Sequence, residues 1–515
     1  MRIALISPAQ GHRHILDLRY ARNIFLGRSA STCVPMALTI LDALTPPEFD
    51  VTILDEQVDA IDFERPYDVV AITALTPVAT RAYQVADAFR ARGAWVVMGG
   101  LHVTMFPDEA ARHADTLCVG EAEGTWPDFL RDYLNRQAQP IYRAYQSVDL
   151  ATCVIPRWNR LRERRYRFFS IQASRGCRYN CDYCSVRAVF GPTRYKPIPK
   201  VLEEIAEVRK HVLPRSDRFL LVDDNLFSDA DYARNFMRAL IPLRLKWECF
   251  APLNIARDPE TLALLRQSGC ERLSIGIESI SQASLAGVNK GAVNRYDEYK
   301  ESIARIHDRG ISIVGLFMLG FDGDDETIFA RTAAFIRETG IAYPVFSIVT
   351  PGPSTRLHAR LAQEGRILHT RWEDYDGTRV VFQPKQMSPS TLQDGYHWLF
   401  REVYGYDALF ERTLGLWEHG VLKRPAAELP LRTLLSGILL KELIRQQFDR
   451  RDMLPFLHRT LRELWAKPRI DMVSLLLNLG LTEYVNQLPI PARDFQGTAA
   501  APGAEARSPD KPWPP

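Results

Sequence analysis

Cys177-Arg178-Tyr179-Asn180-Cys181-Asp182-Tyr183-Cys184 places three thiols in one short loop, with three residues between the first pair and two between the second. The run before it, Arg167-Phe168-Phe169-Ser170-Ile171-Gln172-Ala173, reads as a strand, and Ser174-Arg175-Gly176 turns the chain into the loop. Thiolates are soft ligands, and clustered cysteines hold zinc or iron–sulfur clusters. A structural zinc site or a fully ligated cubane takes a fourth protein ligand, and none stands in this loop. A zinc knuckle and a redox disulfide remain open readings. Three ligands on a four-iron cluster would leave one iron free for a small molecule, which makes a reaction site rather than a staple.

At these residues the sequence resembles the radical S-adenosylmethionine (SAM) superfamily. The CxxxCxxC spacing is met by Cys177, Cys181 and Cys184, and Tyr183 fills the aromatic position before the last cysteine. The resemblance implies a [4Fe-4S] cluster whose open iron chelates the amine and carboxylate of SAM. One electron then cleaves SAM and releases a 5′-deoxyadenosyl radical.

A chain of 515 residues predicts two to four domains, and 46% hydrophobic residues suffice for ordinary cores. A net charge of +3 is too slight to imply nucleic acid or an acidic membrane as partner. Eight cysteines, three of them in one loop, do not make a disulfide framework. The chain starts on a strand and contains no run of 18 apolar residues, so neither a signal peptide nor a membrane span is expected. A reducing cytoplasm is the expected setting.

The overall expectation is an α/β chain. Residues 1–135 alternate strand and helix, with strands at Arg2–Ile6, Val51–Leu54, Val69–Ile72, Ala94–Met98 and Thr116–Val119. Helices are predicted at Pro35–Leu44, Val78–Ala91 and Gly124–Leu134. That alternation predicts a doubly wound parallel sheet with ligands at the carboxyl ends of its strands. A nucleotide or a flavin would suit such ends as well as any other ligand. The stretch Gly99-Gly100-Leu101-His102-Val103-Thr104, then Pro107, Asp115 and Gly120-Glu121-Ala122-Glu123, resembles the cobalamin-binding domain found ahead of many radical SAM domains. Thr73, Leu75, Thr76, Gly99, Gly100, His102, Gly120 and Glu121 are the candidate cobalamin contacts. The usual DxHxxG signature is replaced by Asp55-Glu56-Gln57-Val58-Asp59-Ala60, so Gln57 stands where the cobalt-ligating histidine would be. The resemblance then implies cobalamin held with its own base detached.

Residues 136–166 read as a linker, crossing at Val154-Ile155-Pro156-Arg157-Trp158, a place for a cofactor between domains. Residues 167–356 repeat strand and helix through six strands, which predicts a partial (β/α)6 barrel with its chemistry on the loops after the strands. Those loops carry Asp223-Asp224-Asn225, Gly276-Ile277-Glu278-Ser279 and Leu319-Gly320-Phe321. The resembled superfamily often binds the SAM amine through a Gly-Gly-Glu motif after the second strand, where Asp223-Asp224-Asn225 stands here. Tyr183, Asp223, Asn225, Glu278 and Ser279 are the candidate SAM contacts, and Arg175 and Lys290 are candidates to neutralise its carboxylate. Asp258-Pro259 and Asp324-Asp325 mark helix starts.

Residues 357–495 read as mainly helical, at Leu392–Tyr404, Leu409–Glu418, Leu431–Gln447, Met453–Ala466 and Met472–Leu479. Tyr396, Trp398, Phe400, Tyr404, Tyr406 and Phe410 form either a substrate wall or an ordinary core, and spacing of three and four favours the core. Residues 496–515, rich in Ala, Gly and Pro, predict a disordered tail.

The two resemblances together imply a cobalamin-dependent radical SAM enzyme of the class B-like methyltransferase group, similar to hopanoid methylases and anaerobic tetrapyrrole cyclases. The leading expectation is methylation of a carbon centre in a small-molecule or lipid precursor. It would be driven by an external reductant of the flavodoxin or ferredoxin type. Cyclisation or rearrangement without net methylation is the alternative, and a non-catalytic cobalamin or cluster sensor is a weaker one.

Overall fold

The computed structural model describes residues 1–9, 31–161, 166–212, 218–418 and 495. The predicted helices Leu431–Gln447, Met453–Ala466 and Met472–Leu479 and the tail 496–515 lie outside them.

Two all-parallel sheets carry the chain. The strands of its first part are β1 (Arg2–Ser7), β2 (Ser31–Cys33), β3 (Asp50–Asp55), β4 (Val69–Thr73), β5 (Trp95–Gly99), β6 (Thr116–Val119) and β7 (Ile141–Arg143). All but β2 form a six-stranded sheet in the order β3-β1-β4-β5-β6-β7. Runs such as Ile3-Ala4-Leu5-Ile6 are buried without alternation, as expected of parallel strands covered on both faces. Helix Ala79–Arg90 buries Ala82, Val85, Ala86 and Phe89 on one face. Helices Met36–Leu44 and Trp126–Leu134 bring Leu38, Trp126, Phe129 and Leu130 to the other.

The second sheet contains β8 (Tyr166–Ile171), β11 (Arg218–Leu221), β12 (Lys246–Ala251), β13 (Cys270–Glu278), β14 (Ser312–Leu319) and β15 (Tyr343–Ile348) as consecutive neighbours. Between β8 and β11, a small antiparallel pair joins β9 (Ser174–Arg175) to β10 (Arg194–Tyr195). The helix starts follow their caps: Asp258 accepts from the amides of Glu260 and Thr261, with Pro259 at the first helical position. Asp324 departs from the expectation. Its carboxylate is buried on the amides of Gly320 and Phe321 and on Ser284 Oγ, and the helix begins at Thr327.

The structure adds two short strands that the sequence reading did not assign. Ser31–Cys33 pairs beyond β8, covering the edge of the barrel sheet. The stretch read as linker supplies β7, a sixth strand on β6. Both are three-residue strands, too short to show a period. The two sheets are tied together. Tyr166 donates to Asp55 Oδ2 at 3.1 Å, and the buried Asp42 meets Arg157 and Arg160 at 3.2 and 3.3 Å.

Tyr396, Phe400 and Tyr404 are buried in helix Pro389–Tyr404, which packs on β15 and on helix Thr327–Thr339. The Tyr404 hydroxyl donates to the Pro344 carbonyl at 2.6 Å. These rings are core outside the barrel rather than a substrate wall. Trp372, Tyr375 and Val381 turn back to the first sheet and complete the core over helix Ala79–Arg90.

Candidate functional site

The cysteine loop leaves the end of β8 and is held from three sides. Cys184 N–H donates to the Cys181 carbonyl at 3.1 Å, Asp182 N–H to the Val288 carbonyl at 3.1 Å, and Asn289 Nδ2 to the Asn180 carbonyl at 2.9 Å. All three thiols are free, and Asn225 Nδ2 points at Cys177 Sγ from 3.8 Å. Burial pushes the Cys184 thiol up to about 11, opposed by the Val186 N–H, and the nearby Cys181 and Cys177 add to the effect. Burial likewise raises Cys181, opposed by Lys290. Among the described residues no three His, Cys, Asp or Glu side chains close on a single ion position. Sulfurs that each bind a different iron need not do so. As a donor set, three soft, free thiols without a fourth partner fit a four-iron cluster with one open site. Binding would release their protons.

Asp223, after β11, does not reach for a ligand. It accepts from Ala173 N–H at 2.8 Å and from the Ser174 hydroxyl, pinning the strand end that feeds the loop. Complete burial pushes its carboxyl up to about 7 despite these donors. An acid raised in the fold stabilises fully below its unfolded value near 3.8, and that contribution is lost as pH rises towards 7. Asp223→Asn should therefore gain stability relative to the unsubstituted chain between pH 4 and pH 7. Denaturant midpoints of the cofactor-free proteins at several pH values check this, and a constant difference contradicts it.

Glu278 closes β13 at a register shift against β14 and holds φ at +64°, a region a non-glycine residue occupies at a cost of about 1–3 kcal/mol. Its carboxylate lies 3.3 Å from Lys290 Nζ, and both side chains are nearly buried. Burial raises the Tyr183 hydroxyl, and the nearby Glu278 and Cys181 add to the effect. Gly276 has no room for a Cβ, which would fall 2.2 Å from Glu278 Oε1. Ser279 is buried, with its Oγ accepting from Ser281 N–H. A strained carboxylate, a buried ammonium and a tyrosine hydroxyl thus gather beside the cysteine loop, equipped to meet an amine and a carboxylate.

A cavity of about 290 Å³ lies where the carboxyl ends of the two sheets meet. One wall comes from Thr73, Gly99, Gly100, Thr104, Gly120, Glu121 and Glu123, the other from Gln172, Arg175, Val189, Phe190 and Val222. Gly100, at φ +97°, presses so closely on Thr73 and Ala74 that a Cβ would lie 2.8 Å from the Ala74 carbonyl. A Cβ at Gly99 or Gly120 would likewise meet the chain itself, at Cys118 and Ala144, so these glycines let the loops that border the cavity pack closely. Of the candidate cobalamin contacts, Thr73, Gly99, Gly100, Gly120 and Glu121 line it, while Leu75, Thr76 and His102 do not. Leu75 is 58% exposed. His102 is fully buried on the far side, with Nε2 2.9 Å from the Tyr83 hydroxyl and Nδ1 3.3 Å from Thr76 Oγ1. Burial lowers its pKa, opposed by Glu109, and its place is structural. Gln57 also stands away from the cavity walls.

Arg175 is not available to a SAM carboxylate. It is spent on Glu121 and Glu123, at 3.0 and 2.8 Å. Arg194 and, Arg175 apart, the barrel-side wall were missed in the sequence. Pairing across some fifty positions leaves no local period to find.

Comparison with known proteins bears on these features. Residues 171–336 match the radical SAM superfamily, 22–130 the B12 binding domain, and 355–483 a domain of unknown function. Bacteriochlorophyllide d C-12(1)-methyltransferase of Chlorobaculum tepidum is 33% identical over 75% of this chain and 86% of its own. Bacteriochlorophyllide d C-8(2)-methyltransferase of the same organism is 32% identical over 74% and 87%. The solved cobalamin-dependent SAM radical enzyme OxsB, with aqua-cobalamin and SAM bound, shares the fold at a TM-score of 0.61 and 13% identity, over 94% of this chain and 80% of its own.

Proposed function

Because the chain belongs to the cobalamin-dependent branch of the radical SAM superfamily, we propose that it methylates a peripheral alkyl carbon of a cyclic tetrapyrrole. The observation that carries this reading is the cavity between the two sheets, whose far wall is the stem of the cysteine loop. The substrate class is drawn from the two bacteriochlorophyllide methyltransferases. When bound, SAM on the cluster supplies a hydrogen-abstracting 5′-deoxyadenosyl radical, and cobalamin supplies the methyl group.

The chain's own residues bind and orient. Cys177, Cys181 and Cys184 hold the cluster. Glu278 and Lys290 address the polar end of SAM, with Tyr183, Ser279 and Asn225 around them. Thr73, Gly99, Gly100 and Gly120 offer backbone and hydroxyl groups to cobalamin. Val189, Phe190 and Val222 keep water from the space between the cofactors. The electron comes from a flavodoxin- or ferredoxin-type donor, in a reducing cytoplasm. Among the described residues no helix is long and apolar enough to cross a membrane.

Anaerobic turnover with SAM carrying a deuterated methyl group tests the reading on a chlorophyllide-type acceptor. The label should enter the product carbon skeleton, with two SAM molecules consumed per methylation. A product without the label, or one that is cyclised, contradicts it. Glu278→Gln should assemble the cluster and weaken SAM binding by roughly tenfold or more, the worth of a charge-assisted hydrogen bond of about 1.5–3 kcal/mol. Equilibrium binding of SAM checks this, and unchanged affinity would assign Glu278 to the fold alone.

A further inference from the structure

Four charged side chains cluster at the cavity, three of them, Glu121, Glu123 and Arg175, on its walls. Glu121 and Glu123 sit on the loop after β6, Arg175 on β9 two residues before Cys177, and Arg194 on the paired β10. Arg175 Nη1 donates to Glu121 Oε1 at 3.0 Å and Nη2 to Glu123 Oε1 at 2.8 Å, while Nη2 also reaches Gln172 Oε1 at 3.0 Å. Arg194 Nη2 donates to Glu121 Oε1 at 2.6 Å. Glu121 Oε2 accepts from Val148 N–H at 2.6 Å, which brings in the segment after β7. Burial works against the Glu121 charge, but Arg194, Val148 N–H and Arg175 hold its carboxyl below the usual range.

The quartet balances two carboxylates with two guanidinium groups, so it has no charge left to offer a ligand. It is also the place where the two cavity walls touch. Glu121, Glu123, Gln172 and Arg175 all face the cavity. From Arg175 the backbone runs directly into the cysteine loop, with Gly176 N–H fixed on Asp224 at 2.9 Å. The forked guanidinium joins two carboxylates of one sheet to the strand end of the other, a geometry a lysine cannot reproduce.

We infer that the Glu121–Glu123–Arg175–Arg194 quartet sets the spacing between the cavity wall of the first sheet and the cysteine loop, and that Arg175 is the positioning residue for the two cofactors. The inference rests on the proposed cobalamin and cluster chemistry. Without Arg175, Glu123 keeps the weak Cys153 thiol at 3.9 Å, and the Arg194–Glu121 pair is left to join the two walls.

The test uses the full chain, reconstituted anaerobically with cluster and hydroxocobalamin, as Arg175→Met and Arg175→Lys. Iron content should stay within about twofold of the unsubstituted protein. Cobalamin affinity should fall by roughly tenfold to a hundredfold in Arg175→Met, the usual scale for removing an outer partner of a cofactor site, and by less in Arg175→Lys. The magnetic coupling between cob(II)alamin and the reduced cluster should change in both, which a role in stability alone would not produce. In the cofactor-free chain, amide exchange should rise in residues 120–125 and 144–150 and stay unchanged in β1 and β4. Should the unsubstituted chain take up no cobalamin, the proposed function fails while the exchange pattern still decides the inference. Unchanged exchange, or unchanged affinity and coupling in the bound protein, overturns it. If Arg175→Met does not fold, the Lys variant carries the decision.

Discussion

Replacing any one of Cys177, Cys181 or Cys184 with alanine is expected to leave a folded chain with no intact four-iron cluster and no SAM cleavage. The thiols lie in a loop rather than in a strand or helix, and none makes a disulfide, so their loss removes ligands without opening a core. Three ligands are the whole protein contribution to such a cluster, and a cubane on two thiolates has a second exposed iron and decays. Iron and sulfide analysis with electron paramagnetic resonance of the reduced protein reads the result, and 5′-deoxyadenosine release reads the chemistry. A full four-iron signal in any single variant would defeat the ligand assignment.

Gly176→Ala should have an effect nearly as large without touching a ligand. Gly176 holds φ at +89°, and a Cβ there would lie 2.6 Å from the Pro192 carbonyl and 2.8 Å from that of Gly191. A side chain in this region costs about 1–2 kcal/mol, and overpacking against fixed backbone adds about 1–3 kcal/mol. The strain falls at the root of the cysteine loop, so the loop should give way before the fold does, with cluster content reduced by roughly tenfold. Gly191 is the control. It also has a positive φ, +72°, but open space around its Cβ position, so Gly191→Ala pays the conformational cost alone and should keep most of its cluster. Equal loss in the two variants would show that the clash at Gly176 plays no part.

The parts of this protein that the sequence exposes are those with a period or a fixed spacing. Buried runs such as Val69-Val70-Ala71-Ile72 announce parallel strands, and the cysteine spacing marks the reaction site before any contact is known. What depends on pairing across the chain stays hidden. Arg175 stands beside the cysteine loop as a candidate for SAM, yet it is paired with carboxylates more than fifty residues earlier in the chain. His102 sits in a glycine-rich stretch that suggests cobalamin, yet the turn after Gly100 sends its ring into the core with Tyr83 and Trp372. Asp223 occupies the position of a ligand-binding acid and instead ties down a strand end. In each case the residue type was informative and its direction was not, because direction is set by tertiary packing.

The central claim is that one cavity brings cobalamin up to the cluster loop, with no histidine among the described residues that line it. Gln57 replaces that histidine and stands away from the cavity, and His102 is turned into the core. An amide is a poor cobalt donor beside imidazole. Electron paramagnetic resonance of the cob(II)alamin form in anaerobically purified protein tests this directly. The account predicts retained cobalamin whose cobalt lines carry no nitrogen splitting from an axial base. Nitrogen splitting, or a protein that retains no cobalamin at all, would contradict it.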